Sequence, residues 1–389
     1  MSKPPQIRIL FCHYTADPGG GSDRSLFDLV TRLSRDRFAP SMLLHPDDPL
    51  VPRYRLADIP VHTEPFVPPR RAADAAKLFR FASSLIPSVW RARRIIVRTG
   101  TDVVHVNTLY NIQGGLAAVL AGKPLVWHVR EIESGSRVGR IFLACVARWA
   151  ARAVAISYAV GETLAACGPR RRVVLNGIDP DRFAQLPDPS SIRRELGLEK
   201  SNRVVLCVGR IEPWKGQHVL IEAIPAVLRA CPGAKFVFVG NPAVNKPDYL
   251  PRLEARCVEL GIAGRVVFAG VRNDLPALLA LAEVVAVPTA TAEPFGRVIV
   301  EAMLAGRPVV ATAAGGPLEI IENEETGRLV PPSDANALAA AIGKLLADPE
   351  AAAAMGQRAR ARALDGFTID RTVREMAAIF EEVAASRGI

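Results

Sequence analysis

Two glutamates with seven residues between them, Glu293 and Glu301, bracket the segment Pro294-Phe295-Gly296-Arg297-Val298-Ile299-Val300. Pro294 suits the first position of a helix, and Gly296 lets a ligand approach the backbone closely. A helix opening here puts Glu293 at its mouth and Glu301 about two turns in, leaning back toward the N-terminus. Both carboxylates then reach one ligand, with the amides of Phe295 to Val298 between them. A carboxylate accepts hydrogen bonds from a diol well, so ribose and sugar hydroxyls are natural partners. The plainer alternative is two unrelated surface glutamates.

A second group is cationic. The apolar run Val204–Val208 ends at Gly209, which places Arg210 at a strand tip and Lys215-Gly216 where the next helix opens. Two cations at a helix N-terminus clamp a diphosphate and neutralise it as it leaves. A third is the turn Pro18-Gly19-Gly20-Gly21-Ser22, where Ser22 or Asp23 is expected to cap the following helix. It does not spell G-x-G-x-x-G, so a nicotinamide cofactor is disfavoured. The fourth is Trp127-His128-Val129-Arg130-Glu131, in which His128 ends a strand with a titratable imidazole. A structural histidine is the alternative there.

Two other motifs are set aside. Asp179-Pro180-Asp181 spells D-x-D, but it lies in a linker and not after a strand, so no metal site is expected. The chain has no G-x-S-x-G nucleophile elbow.

Strand ends are where such groups belong, because open parallel sheets bind ligands beyond the carboxyl ends of their strands. The strands are expected at Ile7–Tyr14, Ser41–His45, Val103–Asn107, Leu125–Val129, Val154–Ser157 and Val173–Asn176. A second set covers Val204–Val208, Lys235–Gly240, Arg265–Gly270, Val284–Thr289 and Pro308–Thr312. Helical segments such as Ser25–Leu33, Gln217–Ala230 and Val298–Ala305 alternate with them, the pattern of βαβ units. Pro180, Pro187 and Pro189 mark a linker after Asn176-Gly177-Ile178-Asp179. The expected domains are 1–184 and 185–368. The apolar spacing of Val373, Met376, Ile379, Phe380 and Val383 makes 369–389 a closing helix. Ala335–Ala363 reads as helix-forming.

The 389 residues are 49% hydrophobic, 23% charged and 6% aromatic, which suits two cores of parallel sheet under helices. No signal-peptide core opens the chain, and no run of about 18 apolar residues occurs. The six cysteines form no C-x-x-C pair and read as buried reduced thiols. A cytoplasmic protein is expected. The net charge is +10. Between Pro68 and Gly100 stand eight basic residues against the single acidic Asp74, interleaved with Phe79, Phe81, Leu85, Ile86, Val89 and Trp90. Such a stretch over 70–98 either lies on an anionic membrane surface or is a solvated face over the core. Nucleic acid is not expected, since no DNA- or RNA-binding motif accompanies the charge.

Taken together, these segments resemble the retaining glycosyltransferases of family four, with the GT-B fold. The resemblance rests on Asn176-Gly177-Ile178-Asp179, on Val208-Gly209-Arg210-Ile211-Glu212-Pro213-Trp214-Lys215-Gly216, and on Glu293-Pro294-Phe295-Gly296 running to Glu301-Ala302. Gly315-Gly316-Pro317-Leu318-Glu319-Ile320 and Thr326-Gly327-Arg328-Leu329-Val330 complete it. It implies two doubly wound Rossmann-like α/β domains facing across a cleft. It also implies a nucleotide diphosphate sugar as donor, no cofactor or metal, and transfer with retention to a polysaccharide, oligosaccharide or lipid-linked acceptor. Glu293 would bind the donor sugar and Glu301 the ribose. Arg210 and Lys215 would hold the diphosphate, aided by the Gly20-Gly21 loop. Backbone at Val271 and Arg272 would read the base, and His128 would sit beside the transferring sugar. A sugar-nucleotide epimerase, a phosphorylase or a non-catalytic nucleotide-sugar-binding protein on the same fold stays open. The sequence specifies no oligomeric state.

Overall fold

A computed structural model describes residues 6–14, 20–65, 75–133, 135–244, 246–386 and 388. Pro18, Gly19 and the basic residues Arg70 and Arg71 lie outside this set. The chain divides into two compact units, Met1–Gly177 with Ile369–Ile389, and Ile178–Thr368. The division precedes the turn at Pro180–Phe183 and does not follow it. Phe183 is buried, and the Ile178 N–H donates to the Phe367 carbonyl at 2.9 Å, which ties this segment into the second unit.

Unit 1 is built on strands β1 (Ile7–Cys12), β2 (Phe38–Leu44), β3 (Val61–Thr63), β4 (Val103–Val106), β5 (Leu125–Val129), β6 (Arg152–Ala155) and β7 (Arg171–Val173). They form one parallel sheet in the order β3-β2-β1-β4-β5-β6-β7. Every residue of β4 and β5 is buried, because helices cover both faces of a parallel sheet and leave no polar alternation. The Ile369–Ala385 helix closes this unit. Its Met376, Ile379, Phe380 and Val383 join Ile9, Phe11, Leu26 and Phe38 in one core, with the Phe380 ring 5.8 Å from Phe11 and 6.3 Å from Phe38.

Unit 2 repeats the plan with β8 (Arg203–Val208), β9 (Ala234–Val239), β10 (Val266–Phe268), β11 (Val284–Val287), β12 (Val309–Thr312) and β13 (Arg328–Val330). The order is β10-β9-β8-β11-β12-β13, again all parallel. Both sheets thus grow outward in two directions from an inner pair, β1/β4 and β8/β11, which are the switch points where open α/β sheets bind ligands. The expected fold class, two doubly wound parallel-sheet domains, is the observed one.

Two local expectations need correction and a third is refined. The alanine-rich stretch is helical as expected, in the form of two helices, Ala335–Ala347 and Pro349–Gly366. The Asp348 carboxylate caps the second by accepting from Ala351 N–H, and Pro349 occupies its first turn. Neither Ser22 nor Asp23 caps the helix after β1. That helix begins at Gly21 with Gly20 as its cap, and the Asp23 carboxylate instead faces His13. Finally, β3 and β13 are short edge strands absent from the expected set.

Candidate functional site

The carboxyl ends of β8, β11 and β12 lie side by side, and three turns leave them. From β8 comes Gly209-Arg210, then a single 3-10 turn at Pro213–Lys215, then Gly216 and the Gln217–Ala230 helix. Gly216 has φ +72°, and a Cβ there would stand 1.8 Å from the Pro288 carbonyl oxygen at the end of β11. Only glycine fits so close a backbone approach. The Ala290 N–H donates to the Trp214 carbonyl at 2.8 Å, fastening the two turns together.

The turn after β11 is fastened in the same way to the one after β12. The Glu293 N–H donates to Ala314 C=O at 3.1 Å, and Gly316 N–H donates to Glu293 C=O at 2.7 Å. A Cβ on Gly315 would meet the Glu293 carbonyl oxygen at 2.3 Å, and one on Gly316 the Phe295 carbonyl oxygen at 2.1 Å. The Gly315-Gly316 pair therefore exists to let these two loops lie against each other.

On this frame two of the expected residues meet, Lys215 from the turn after β8 and Glu293 from the turn after β11. Lys215 Nζ lies 2.7 Å from Glu293 Oε2 and 4.0 Å from the centroid of the Trp214 ring. Gly296, at φ +102°, opens the Arg297–Leu304 helix. The first amides of a helix have no partner inside it and carry its positive pole, so Arg297 and Val298 point donors and partial charge at the mouth where Glu293 stands. The helix opens at Arg297 and not at Pro294, so Glu301 is buried one turn inside it and not the expected two, with Arg297 Nη2 3.4 Å away. Phe295 turns its ring inward, 6.2 Å from Phe367, so only its backbone serves the mouth. Arg210 remains half-exposed at the tip of β8, its Nε 2.9 Å from Glu212.

Val271 and Arg272 stand apart from this group, after β10, two strands from β8. Val271 is exposed. The Arg272 guanidinium is held by Asp274 at 2.6 Å and Glu195 at 2.5 Å, and hydrogen bonds to these two carboxylates raise its pKa. Its side chain is committed to them, which leaves the backbone as the part available to a ligand.

Unit 1 carries a different arrangement along its carboxyl edge. Arg130, after β5, donates from Nε to Asn107 Oδ1 at 2.8 Å and from Nη1 to Asn176 Oδ1 at 3.0 Å. With its oxygen so used, Asn107 turns Nδ2 toward His13 Nδ1 at 3.1 Å. The other ring nitrogen of His13, Nε2, lies 2.9 Å from the Asp23 carboxylate. His128 ends β5 as expected and is buried, with its Nδ1 3.3 Å from His105 Nε2. Burial first, then the Arg130 charge, pushes both imidazoles well below their ordinary 6.5, so both are neutral at pH 7. The free edge of His128, Nε2, has no hydrogen-bond partner among the described residues. Gly20 and Gly21 start the helix after β1 in this same unit.

His13, Asn107 and His105 were not singled out from sequence. The signal that finds them is the one that found His128: a polar residue at or near the end of a buried apolar strand. Asp179 caps its own turn by accepting from Asp181 N–H at 3.2 Å. No group of three acidic, histidine or cysteine side chains able to hold a metal occurs among the described residues.

Residues 188–362 match the family described as glycosyl transferases group 1, and residues 19–182 match glycosyltransferase family 4. The Anabaena protein Alr3699/HepE, solved in complex with UDP and glucose, is 30% identical, with a TM-score of 0.83 over 97% of this chain and 100% of that one. A Mycolicibacterium smegmatis GDP-mannose-dependent alpha-(1-6)-phosphatidylinositol monomannoside mannosyltransferase is 40% identical over 199 residues, 49% of this chain and 51% of that protein. A D-inositol 3-phosphate glycosyltransferase of Acidothermus cellulolyticus is 34% identical over 235 residues, 56% of this chain and 52% of that protein. The chain thus spans about half the length of the curated relatives it matches. The two matched segments fall one in each half of the chain, and the HepE likeness runs through both. The chain belongs to glycosyltransferase family four, the group-one glycosyl transferases.

Proposed function

We propose that this protein transfers a sugar from a nucleoside diphosphate sugar to a glycan or lipid-linked acceptor, with retention of configuration and without a metal ion. The observation that carries the reading is the Lys215–Glu293 pair, 2.7 Å apart at the β8/β11 switch point and beside the opening of the Arg297–Leu304 helix. A diphosphate placed there meets an ammonium group, the Arg210 guanidinium and the positive pole of a helix. These charges do the neutralising that a metal does elsewhere.

The roles are those the family resemblance implies, and the chemistry of each side chain suits its part. Lys215 and Arg210 hold the diphosphate and stabilise it as it leaves. Glu293 accepts from sugar hydroxyls, and Glu301 from the ribose diol. Gly296, Phe295, Arg297 and Val298 give backbone to the ligand, and the Val271-Arg272 backbone meets the base. The Gly20-Gly21 turn likewise keeps the part the resemblance implies, diphosphate support, and His128 a place beside the transferring sugar. The bond from the anomeric carbon to the phosphate oxygen breaks, and the acceptor hydroxyl bonds to that carbon from the same face. Its proton passes to the departing phosphate oxygen, which needs no separate base.

The relatives suggest donors to try first. HepE was solved with UDP and glucose, and the mycobacterial relative is named for GDP-mannose. Incubation with UDP-glucose or GDP-mannose and an acceptor extract is expected to release the nucleoside diphosphate only when acceptor is present. Excess EDTA is expected to leave the rate unchanged, and proton NMR of the product to show the donor's anomeric configuration. Inverted product or EDTA-abolished transfer overturns those parts of the reading. Epimerised sugar formed without acceptor overturns transfer itself.

A further inference from the structure

The Ala75–Arg98 helix of unit 1 is sided in a way that folding does not explain. Its Val89, Ala92, Ile95 and Ile96 are buried and satisfy the core. Ile86, Trp90 and Val97 nevertheless face outward, 67%, 50% and 55% exposed. At 3.6 residues per turn these three project within a sector of about 40°. They form one stripe about 16 Å long and not a scatter of single exposed residues. Leu120, 49% exposed at the end of the neighbouring Ile112–Leu120 helix, extends it, and Arg93 Nε donates to its carbonyl at 3.0 Å.

The charge around the stripe has one sign. The helix contains Lys77, Arg80, Arg91, Arg93, Arg94 and Arg98 and no acidic residue. Arg91 is engaged by Glu64, and Arg93 stacks near the Trp90 ring, 5.4 Å from its centroid. Arg94 and Arg98 flank the stripe on the exposed side.

We propose that this face seats the protein on an anionic membrane surface, with Ile86, Trp90 and Val97 entering the boundary between headgroups and acyl chains. Arg94 and Arg98 then meet lipid phosphates. Apolar residues beside an all-basic flank are the pattern of a helix lying in the interface, and tryptophan favours that depth. A second copy of the chain fits poorly. A two-fold contact through this face would set its arginines against their own copies. Charge alone would serve a polyanion, but the outward aliphatic stripe has no use there. No described helix is long and apolar enough to cross a membrane, so the contact is peripheral.

The test is flotation of the whole protein with vesicles of phosphatidylcholine alone and of phosphatidylcholine with 30% phosphatidylglycerol, at low and high salt. Binding is expected to the anionic vesicles, and to weaken as salt rises. Arg94→Gln/Arg98→Gln is expected to lower the partition roughly tenfold or more. Ile86→Ser/Trp90→Ser is expected to remove the part that survives high salt. Circular dichroism melting of both variants checks that unit 1 folds, and the exposed arginine pair keeps the test decisive should the apolar variant fail. Absence of binding, equal binding to neutral vesicles, or wild-type partition of the arginine variant overturns the proposal. So does a dimer in sedimentation equilibrium that Ile86→Ser/Trp90→Ser abolishes.

Discussion

Lys215 Nζ stands 2.7 Å from Glu293 Oε2, although 78 residues separate the two in sequence. Both side chains are mostly buried, so each compensates the other's charge while no ligand is present. Removing either leaves a poorly solvated charge and also strips the site of a ligand group. Lys215→Ala and Glu293→Ala are each expected to lose two or more orders of magnitude in turnover. The double variant is expected to lose less than the product of the two, because the residues act as one unit. Initial rates with saturating donor check this, and near wild-type transfer in both single variants contradicts it.

Gly216 is the hinge on which that pair is hung. Gly216→Ala adds a Cβ that would stand 1.8 Å from a backbone oxygen, at φ +72°. It is expected to cost about 3 kcal/mol or more, from left-handed strain and overpacking together. Gly197 offers the control within the same unit: φ is +63°, with nothing within 4 Å of an added Cβ. Gly197→Ala is expected to cost only about 1–2 kcal/mol. Urea midpoints of the two variants separate the effects, and equal losses contradict the close-approach account.

The buried pair His105 and His128 makes stability depend on pH. Both are held below their ordinary 6.5, so the unfolded chain takes up protons there that the folded chain refuses. Their contribution is complete above about pH 6.5 and is lost as pH falls further, each by up to about 1.4 kcal/mol per pH unit. The melting temperature is therefore expected to drop between pH 7 and pH 5. Replacing His128 by Gln should flatten the drop, and an unchanged pH slope contradicts it.

Much of the fold could be read from the sequence where a signal was long and local. The apolar run Leu125–Val129 and the amphipathic Gln217–Ala230 were expected with the boundaries the structure has. Val61–Thr63 and Arg328–Val330 were missed because a three-residue edge strand has too few positions to show a pattern. The E-x7-E spacing located Glu293 and Glu301. Nothing local showed that Glu293 takes Lys215 as partner, since that contact depends on β8 and β11 being neighbours. The row His13–Asn107–Arg130–Asn176 was invisible for the same reason, as each member comes from a different strand end.

The closing helix is a core element of unit 1. Phe380 is fully buried and lies 5.8 Å from Phe11, ring centre to ring centre. Phe380→Ala is expected to destabilise the protein by about 3–5 kcal/mol. Leu56→Ala, at an 88% exposed position, is expected to change it by less than about 0.5 kcal/mol. Chemical unfolding of the pair checks the contrast, and similar midpoints contradict it.

The account stands most directly on whether the β8/β11 turns of unit 2 grip a nucleoside diphosphate. Isothermal titration of the full chain with UDP and GDP is the measurement, on wild type, Lys215→Ala and Glu301→Ala. Saturable binding of at least one nucleotide without added metal is expected, weakened tenfold or more in each variant. Unaltered affinity in both variants, or wild-type binding of neither nucleotide, would contradict the claim that Lys215, Arg210, Glu293 and Glu301 form a donor site.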